Sequence, residues 1–220
     1  MSAAVRQTDG FGDRAAAATD GIAVLGGAFD PPHRSHVRIA TMARDHLPVG
    51  EVRVMPAGDH PHKQGGRLTP AHHRLAMCRL AFAAVPGVVV DDREIRRDGL
   101  SFTVETLAEL AAEAPGRRLF FLVGSDNLPL LPSWREHHRL LELATVVTWP
   151  RRGYPIDPDR LAALDLSANE RDELLAHVLP VAADDVAATT IRSQLGRGEP
   201  APDLDPAVQR YAVEHELYRP

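Results

Sequence analysis

The chain has 220 residues, 44% of them apolar and 25% charged, with a formal net charge of −5. That is length enough for one domain with a sizeable core, and the ordinary apolar fraction and mildly acidic balance give no reason to expect nucleic acid or a membrane surface as partner. The single cysteine, Cys78, cannot form an internal disulfide, and no apolar run approaches the ~20 residues of a membrane span, so a reducing cytoplasm is the expected location.

Residues 1–20 are rich in Ala, Gly, Asp and Arg and lack the apolar centre of a secretory signal. They read as a disordered N-terminal tail, with an alanine-rich helical turn as the alternative, ahead of a single domain over 21–220. Ile22–Leu25 is a run of branched apolar residues expected as a strand buried on both faces. Gly26 and Gly27 follow, giving conformational freedom and close access to the main chain. Asp30-Pro31-Pro32 makes a rigid turn, and a helix is expected to begin near Ser35 with an apolar face of Val37, Ile39, Ala40 and Met42. A strand, a glycine turn and a helix start form an anion site, because backbone N–H groups and the positive helix end point at one place. His33 and His36, three residues apart, fall there as donors to phosphate oxygens; the alternative is a Gly-rich turn with two incidental histidines.

Glu51–Pro56 is a second strand, and strand–helix–strand implies a parallel sheet. The loop Ala57–Arg67 leaves the carboxyl end of that strand, where ligands bind in such sheets, so Lys63 is a candidate phosphate contact or a solvated lysine. His60 and His62 could instead be metal ligands, the less favoured alternative. A helix starts at Thr69 or Pro70 and runs to about Ala84, with Leu75, Met77, Cys78, Leu80 and Ala81 as core. Val88–Val90 is a short buried strand. Ser101–Leu107 is a helix start, with Glu105 placed to reach back to the first N–H groups.

Arg118–Val123 is the most hydrophobic strand, and Gly124-Ser125-Asp126 stands at its carboxyl end. There Asp126 can accept ribose hydroxyls, help hold a metal, or simply cap a helix. Trp134 follows a Pro-Ser turn, available for stacking or covering core. Leu143–Trp149 is the next strand, followed by a basic turn at Arg151 and Arg152. Ile156–Val178 holds two short helical patterns without recognisable chemistry, and Val178–Val181 is a candidate last strand. In Val186–Arg192, Thr189 is the expected N-cap and Arg192 falls in the first helical turn, a combination suited to a polyphosphate. Pro206–Tyr218 is a helix ending in an aromatic turn. The alternation predicts a doubly wound, mostly parallel α/β sheet of about six strands.

G-G-A-F-D-P-P-H-R-S-H resembles the G-G-T-F-D-P-x-H-x-G-H signature of the nucleotidyltransferase superfamily, with Ala28 in place of Thr or Ser and Ser35 in place of Gly. D-D-R-E-I-R-R-D-G-L-S-F-T-V-E-T-L is similar to the acceptor segment of bacterial nicotinate-nucleotide adenylyltransferases. The resemblance implies that the turn Ser101, Phe102 and Thr103 gives main-chain donors to a pyridine carboxylate. The G-x-D pattern ending at Trp134 implies a ring stacked on nicotinate, and Arg151 stands where the family has the arginine of R-P-G-Y. V-A-A-T-T-I-R resembles I-S-S-T-x-I-R, with Ala187 and Ala188 replacing both serines.

The resemblance implies a Rossmann-like nucleotidyltransferase fold and adenylyl transfer from ATP to nicotinate mononucleotide, giving deamido-NAD and pyrophosphate. It implies catalytic roles for His33, His36, Lys63 and Arg192, and ATP binding by Gly26, Gly27, Ala28, Phe29, His33, His36, Asp126, Arg151, Thr189 and Arg192. It implies Mg2+ carried on the ATP phosphates rather than by dedicated protein ligands. ATP and nicotinate mononucleotide would be the partners; a homo-oligomer is left open. Two alternatives stand beside this reading. One keeps the transfer with another acceptor, nicotinamide mononucleotide or phosphopantetheine. The other is a nucleotide-binding protein without turnover, motivated by Ala28, Ala187 and Ala188.

Overall fold

Strands without a polar face must be buried on both sides, and two such runs form the centre of the sheet. The computed structural model of the protein describes residues 20–58 and 68–219. In it β1 (Gly21–Gly27) and β4 (Leu119–Gly124) pair in parallel, with Ile22 opposite Leu119 and Leu25 opposite Leu122. On one side β1 pairs with β2 (Val49–Pro56), and β2 with β3 (Val88–Val90); on the other β4 pairs with β5 (Thr145–Trp149). Among the described residues the sheet is five-stranded and all parallel, in the order β3-β2-β1-β4-β5. The chain direction across the sheet reverses between β1 and β4, and their carboxyl ends border the crevice where ligands bind in such folds.

Helices cover both faces. Ala23 and Leu25 of β1 point to one core, built with α1 (Arg34–His46), α2 (Ala71–Phe82), α8 (Ala188–Gly196) and α9 (Pro206–Glu214). Ile22 and Val24 point to the other, built with α4 (Thr103–Glu113), α5 (His137–Leu143), α6 (Pro158–Ala162) and α7 (Ala168–Ala176). A short α3 (Arg93–Arg96) and a 3-10 turn, Leu128–Ser133, complete the described elements. Cys78 is fully buried, and burial pushes its thiol pKa up, as expected of a core residue.

Several expectations need correction. Among the described residues the sheet has five strands rather than about six, because Val178 makes only an isolated bridge to Thr148 and Pro180 cannot donate to a ladder. Val88–Val90 is an edge strand, not a buried one, and Val89 is 49% exposed. Leu143 closes α5 and β5 begins only at Thr145. Pro70 and Ala187 hold the N-cap positions of α2 and α8, so Thr189 is the second residue of α8 and not its cap. Glu105 does not reach back to the start of α4; its carboxylate is 3.3 Å from Arg135. Residues 1–19 and the loop with His60, His62 and Lys63 lie outside the described residues.

The largest fully buried side chain is an arginine. Arg74 of α2 donates to the carbonyls of Thr69 (2.7 Å), Ala28 (2.9 Å) and Ala57 (2.7 Å), tying the ends of β1 and β2 to the approach of α2. A buried cation is tolerated only when its donors are satisfied, and these backbone oxygens are among the groups that do so. Arg74→Met is expected to lower stability by roughly 3–5 kcal/mol in urea denaturation, since it strands buried carbonyls. A loss below ~1 kcal/mol would show that these carbonyls find other donors.

Candidate active site

At the end of β1 the chain leaves its strand through Gly26 and Gly27. Both are still paired with β2, and neither has a positive φ. Their conformational freedom is therefore not used; a Cβ on Gly26 would meet only Phe121, at an ordinary 3.8 Å. What the glycines provide is an uncovered main chain, with Gly26 exposed and Gly27 and Ala28 half-buried. The left-handed residue is Phe29, at φ 48°, whose buried ring packs against Phe82 and meets the His36 ring edge-on at 4.8 Å.

His33 and His36 stack, with ring centroids 3.8 Å apart. The His33 N–H donates to His36 Nδ1 at 3.2 Å. That bond fixes the tautomer: Nδ1 accepts, so the His36 proton sits on Nε2 as a donor. His33 is 4% exposed, and among the described residues its Nδ1 is buried with no partner. Burial lowers the His33 pKa to about 4, Arg151 adding to the depression and Asp184 opposing it. His36 still meets solvent on part of its surface, but burial, His33 and Arg151 together push its pKa well below the usual value. Both rings are therefore neutral donors at pH 7.

Arg151, just past the end of β5, acts on these rings through its charge. Its backbone N–H donates to Ser125 Oγ (2.8 Å), and Ser125 in turn donates to the Tyr154 carbonyl (2.6 Å), so a buried hydroxyl staples the basic turn to the end of β4. The guanidinium lies 3.7 Å from the half-buried Asp126. From α8, Arg192 donates to the Asp30 carbonyl at 2.7 Å, while Thr189 is exposed in the first turn. Ala187 at the N-cap has no oxygen to offer the first N–H groups. Ser35 is buried and donates to Asp184 at 2.6 Å, joining α1 to the approach of α8. At the start of α1 the Arg34 N–H already goes to the Asp203 carbonyl, so fewer donors are free there than the sequence suggests.

Asp30 holds this corner from beneath. Its carboxylate, 5% exposed, accepts from Tyr218 Oη at 2.7 Å and from the Thr69 N–H at 3.1 Å. Each of its oxygens thus accepts one hydrogen bond. Among the described residues, no group of three ligating side chains gathers beside the histidines.

Ser101, Phe102 and Thr103 are half-buried at the start of α4, with Phe102 in the N-cap position. Trp134 closes the 3-10 turn, its ring centroid 5.9 Å from that of Phe121 in an edge-to-face arrangement, so it covers core while part of it stays exposed. Arg135 spans the two segments, its guanidinium 4.6 Å above the Phe102 ring. The structure thus gathers the Gly-Gly turn, His33, His36, Asp126, Arg151 and Arg192 at one end of the sheet, with the Ser101–Thr103 turn and Trp134 joined through Arg135. Arg74, Ser125, Ser35, Arg135 and Tyr218 were missed. An arginine inside the apolar stripe of α2 was a readable signal for the first; nothing in the sequence marks Tyr218.

The cytidylyltransferase-like family pattern matches residues 24–193. A curated relative from Albidiferax ferrireducens, named "Probable nicotinate-nucleotide adenylyltransferase", is 39% identical over 200 residues, covering 90% of this chain and 98% of its own length. One of the same name from Aeromonas hydrophila subsp. hydrophila is 41% identical over 212 residues, covering 90% and 97%. Among solved structures, the Plasmodium falciparum nicotinic acid mononucleotide adenylyltransferase complexed with APC is similar in fold, with a TM-score of 0.72, 19% identity and coverage of 90% and 96%. Matched nearly end to end by relatives at this level of identity, the chain belongs to the nicotinate-nucleotide adenylyltransferase family.

Proposed function

We propose that the protein transfers the adenylyl group of ATP to nicotinate mononucleotide, forming deamido-NAD and releasing pyrophosphate in NAD biosynthesis. The observation that carries this reading is the convergence of a stacked, neutral histidine pair, two arginines and an unobstructed Gly-Gly main chain at the β1/β4 crevice. No protein nucleophile is required, because the phosphate of the mononucleotide can attack the α-phosphorus directly. The protein's part is alignment and charge stabilisation.

In this reading residues 21–220 act as one nucleotidyltransferase domain in the cytoplasm. His36 Nε2 and the His33 ring donate to phosphate oxygens, Arg192 and Lys63 balance the charge, and Asp126 accepts the ribose hydroxyls beside Arg151. The N–H groups of the Ser101–Thr103 turn receive the pyridine carboxylate and Trp134 stacks on the ring. Mg2+ fits as an ion carried by phosphate oxygens and water. When bound it would neutralise phosphate charge.

Ala187 at the α8 N-cap favours a second reading, nucleotide binding without turnover, because the hydroxyls of the related motif are absent. Pyrophosphate release with ATP and Mg2+ separates the two. Release with nicotinate mononucleotide, and little with nicotinamide mononucleotide or phosphopantetheine, is the expected result; ATP binding with no release from any acceptor supports the second reading instead.

His36→Ala is expected to lower kcat about 100-fold or more, as loss of a transition-state donor does. Because burial depresses both imidazoles, kcat/KM of the wild type should show no ionisation from this pair between pH 5.5 and 8. A limb near pH 6.5 that disappears in His36→Ala would mean that a protonated histidine is the active form.

Arg135→Ala is expected to raise KM for the mononucleotide about five- to tenfold, the worth of one cation–π contact and one partly exposed ion pair, and to leave KM for ATP unchanged. An equal rise in both constants would show that Arg135 acts on the fold rather than on the acceptor side.

A further inference from the structure

Just beyond Trp134 lies a second concentration of ligating side chains that adenylyl transfer does not use. His137 and His138 open α5, and Asp165 stands between α6 and α7. One ligand atom from each of the three lies within 4.8 Å of the other two. The two imidazoles stack with centroids 4.0 Å apart.

Each ring is held on one side by an oxygen. His137 Nε2 is 3.1 Å from the Asp165 carbonyl, and His138 Nδ1 is 2.7 Å from Glu170 Oε1. Glu170 is itself fixed: its carboxylate accepts the Ser167 N–H at 2.6 Å, and its own N–H donates to Ser167 Oγ at 3.3 Å. Histidines that bind metals are oriented in this way, one ring nitrogen engaged by a carboxylate or carbonyl and the other left for the ion. The donor set decides the class of ion. Two imidazoles and a carboxylate suit a borderline divalent transition metal, whereas Mg2+ and Ca2+ take oxygen-rich sets.

We propose that His137, His138 and Asp165 form a binding site for a divalent transition-metal ion of the Zn2+ class, with Glu170 as the positioning residue for His138. Asp165 is exposed and half of the His138 side chain meets solvent, so water completes the coordination. The ion would join α5, which follows directly on Trp134 and Arg135, to the α6–α7 connection. It is distinct from the Mg2+ carried on ATP.

The test is a titration of the chelator-treated, full-length protein with Co2+, read by visible absorption. One equivalent should bind, be displaced by Zn2+ and be indifferent to Mg2+. His138→Ala and the double variant His137→Ala/His138→Ala should lose the band, while Glu170→Gln should keep its shape and bind about tenfold more weakly, the effect of an orienting partner. Zn2+ should raise the melting temperature of the wild type and not of the double variant, and adenylyl transfer with Mg2+ should be unchanged in His138→Ala. His60→Ala/His62→Ala, outside the described residues, should bind Co2+ as the wild type does. No band in the wild type, or a band that survives in the double variant with unaltered circular dichroism, overturns the proposal.

Discussion

A cation with no access to water sets the geometry of the nucleotide end of this protein. Arg74 sits wholly inside the fold, where an unsatisfied guanidinium would be prohibitive, and backbone oxygens of three segments accept from it. Those oxygens belong to the residues where β1 ends, where β2 ends and where α2 is approached. Satisfying one buried charge therefore fixes three chain segments at once. Asp30 extends the constraint, receiving Tyr218 from the far end of the chain and Thr69 from the approach to α2, while its carbonyl receives Arg192. The turn between β1 and α1 is thus held from several sides before any substrate arrives. Preorganisation of that kind lets neutral donors and backbone dipoles stabilise developing charge without reorganising.

Much of this was readable from residue order alone, and the reasons are specific. Ile22–Leu25 and Leu119–Val123 have no polar face, so they could only be central strands. The two histidines sit a helical turn apart after a Gly-Gly strand end, which brings them together whatever packs around them. Failures fell where a local rule met a non-local requirement. Val88–Val90 looks buried by composition but lies at the edge, since neighbour order is not encoded in three valines. Val178–Val181 has strand composition, yet it offers β5 only a single bridge. Arg135 over Phe102 joins segments over thirty positions apart, and nothing in either segment announces the other.

The capping errors share one cause. A Ser or Thr is expected at a helix start because the helix must satisfy its own first N–H groups. Away from the candidate site this works: Asp157, Ser167 and Asp205 cap α6, α7 and α9 through their side chains. At α4 and α8 the N-cap positions hold Phe102 and Ala187, which have no oxygen to give, and at α1 the His33 ring keeps an unpartnered buried nitrogen. Among the described residues α3 and α5 also lack a side-chain cap, so the absence alone does not mark a site. Its coincidence with the Ser101–Thr103 turn and with Arg192 supports the proposed site, because a helix start left open by the protein is available to an anion.

That openness bears on the alanines at the start of α8. A hydroxyl at Ala187 or Ala188 would compete for the first N–H groups in the free protein and release them only when phosphate arrived. With alanine the N–H groups stay available, and under the proposed function phosphate binding would rest on the backbone and on Arg192. The histidine pair follows the same logic. Burial and the nearby Arg151 keep both rings uncharged, so the corner does not carry four cations against one another before ATP binds. The free energy of phosphate binding is then not spent on undoing an earlier ionic contact. Fixed neutral donors gain most when negative charge grows on the transferring phosphate, the moment at which a nucleotidyltransferase needs them.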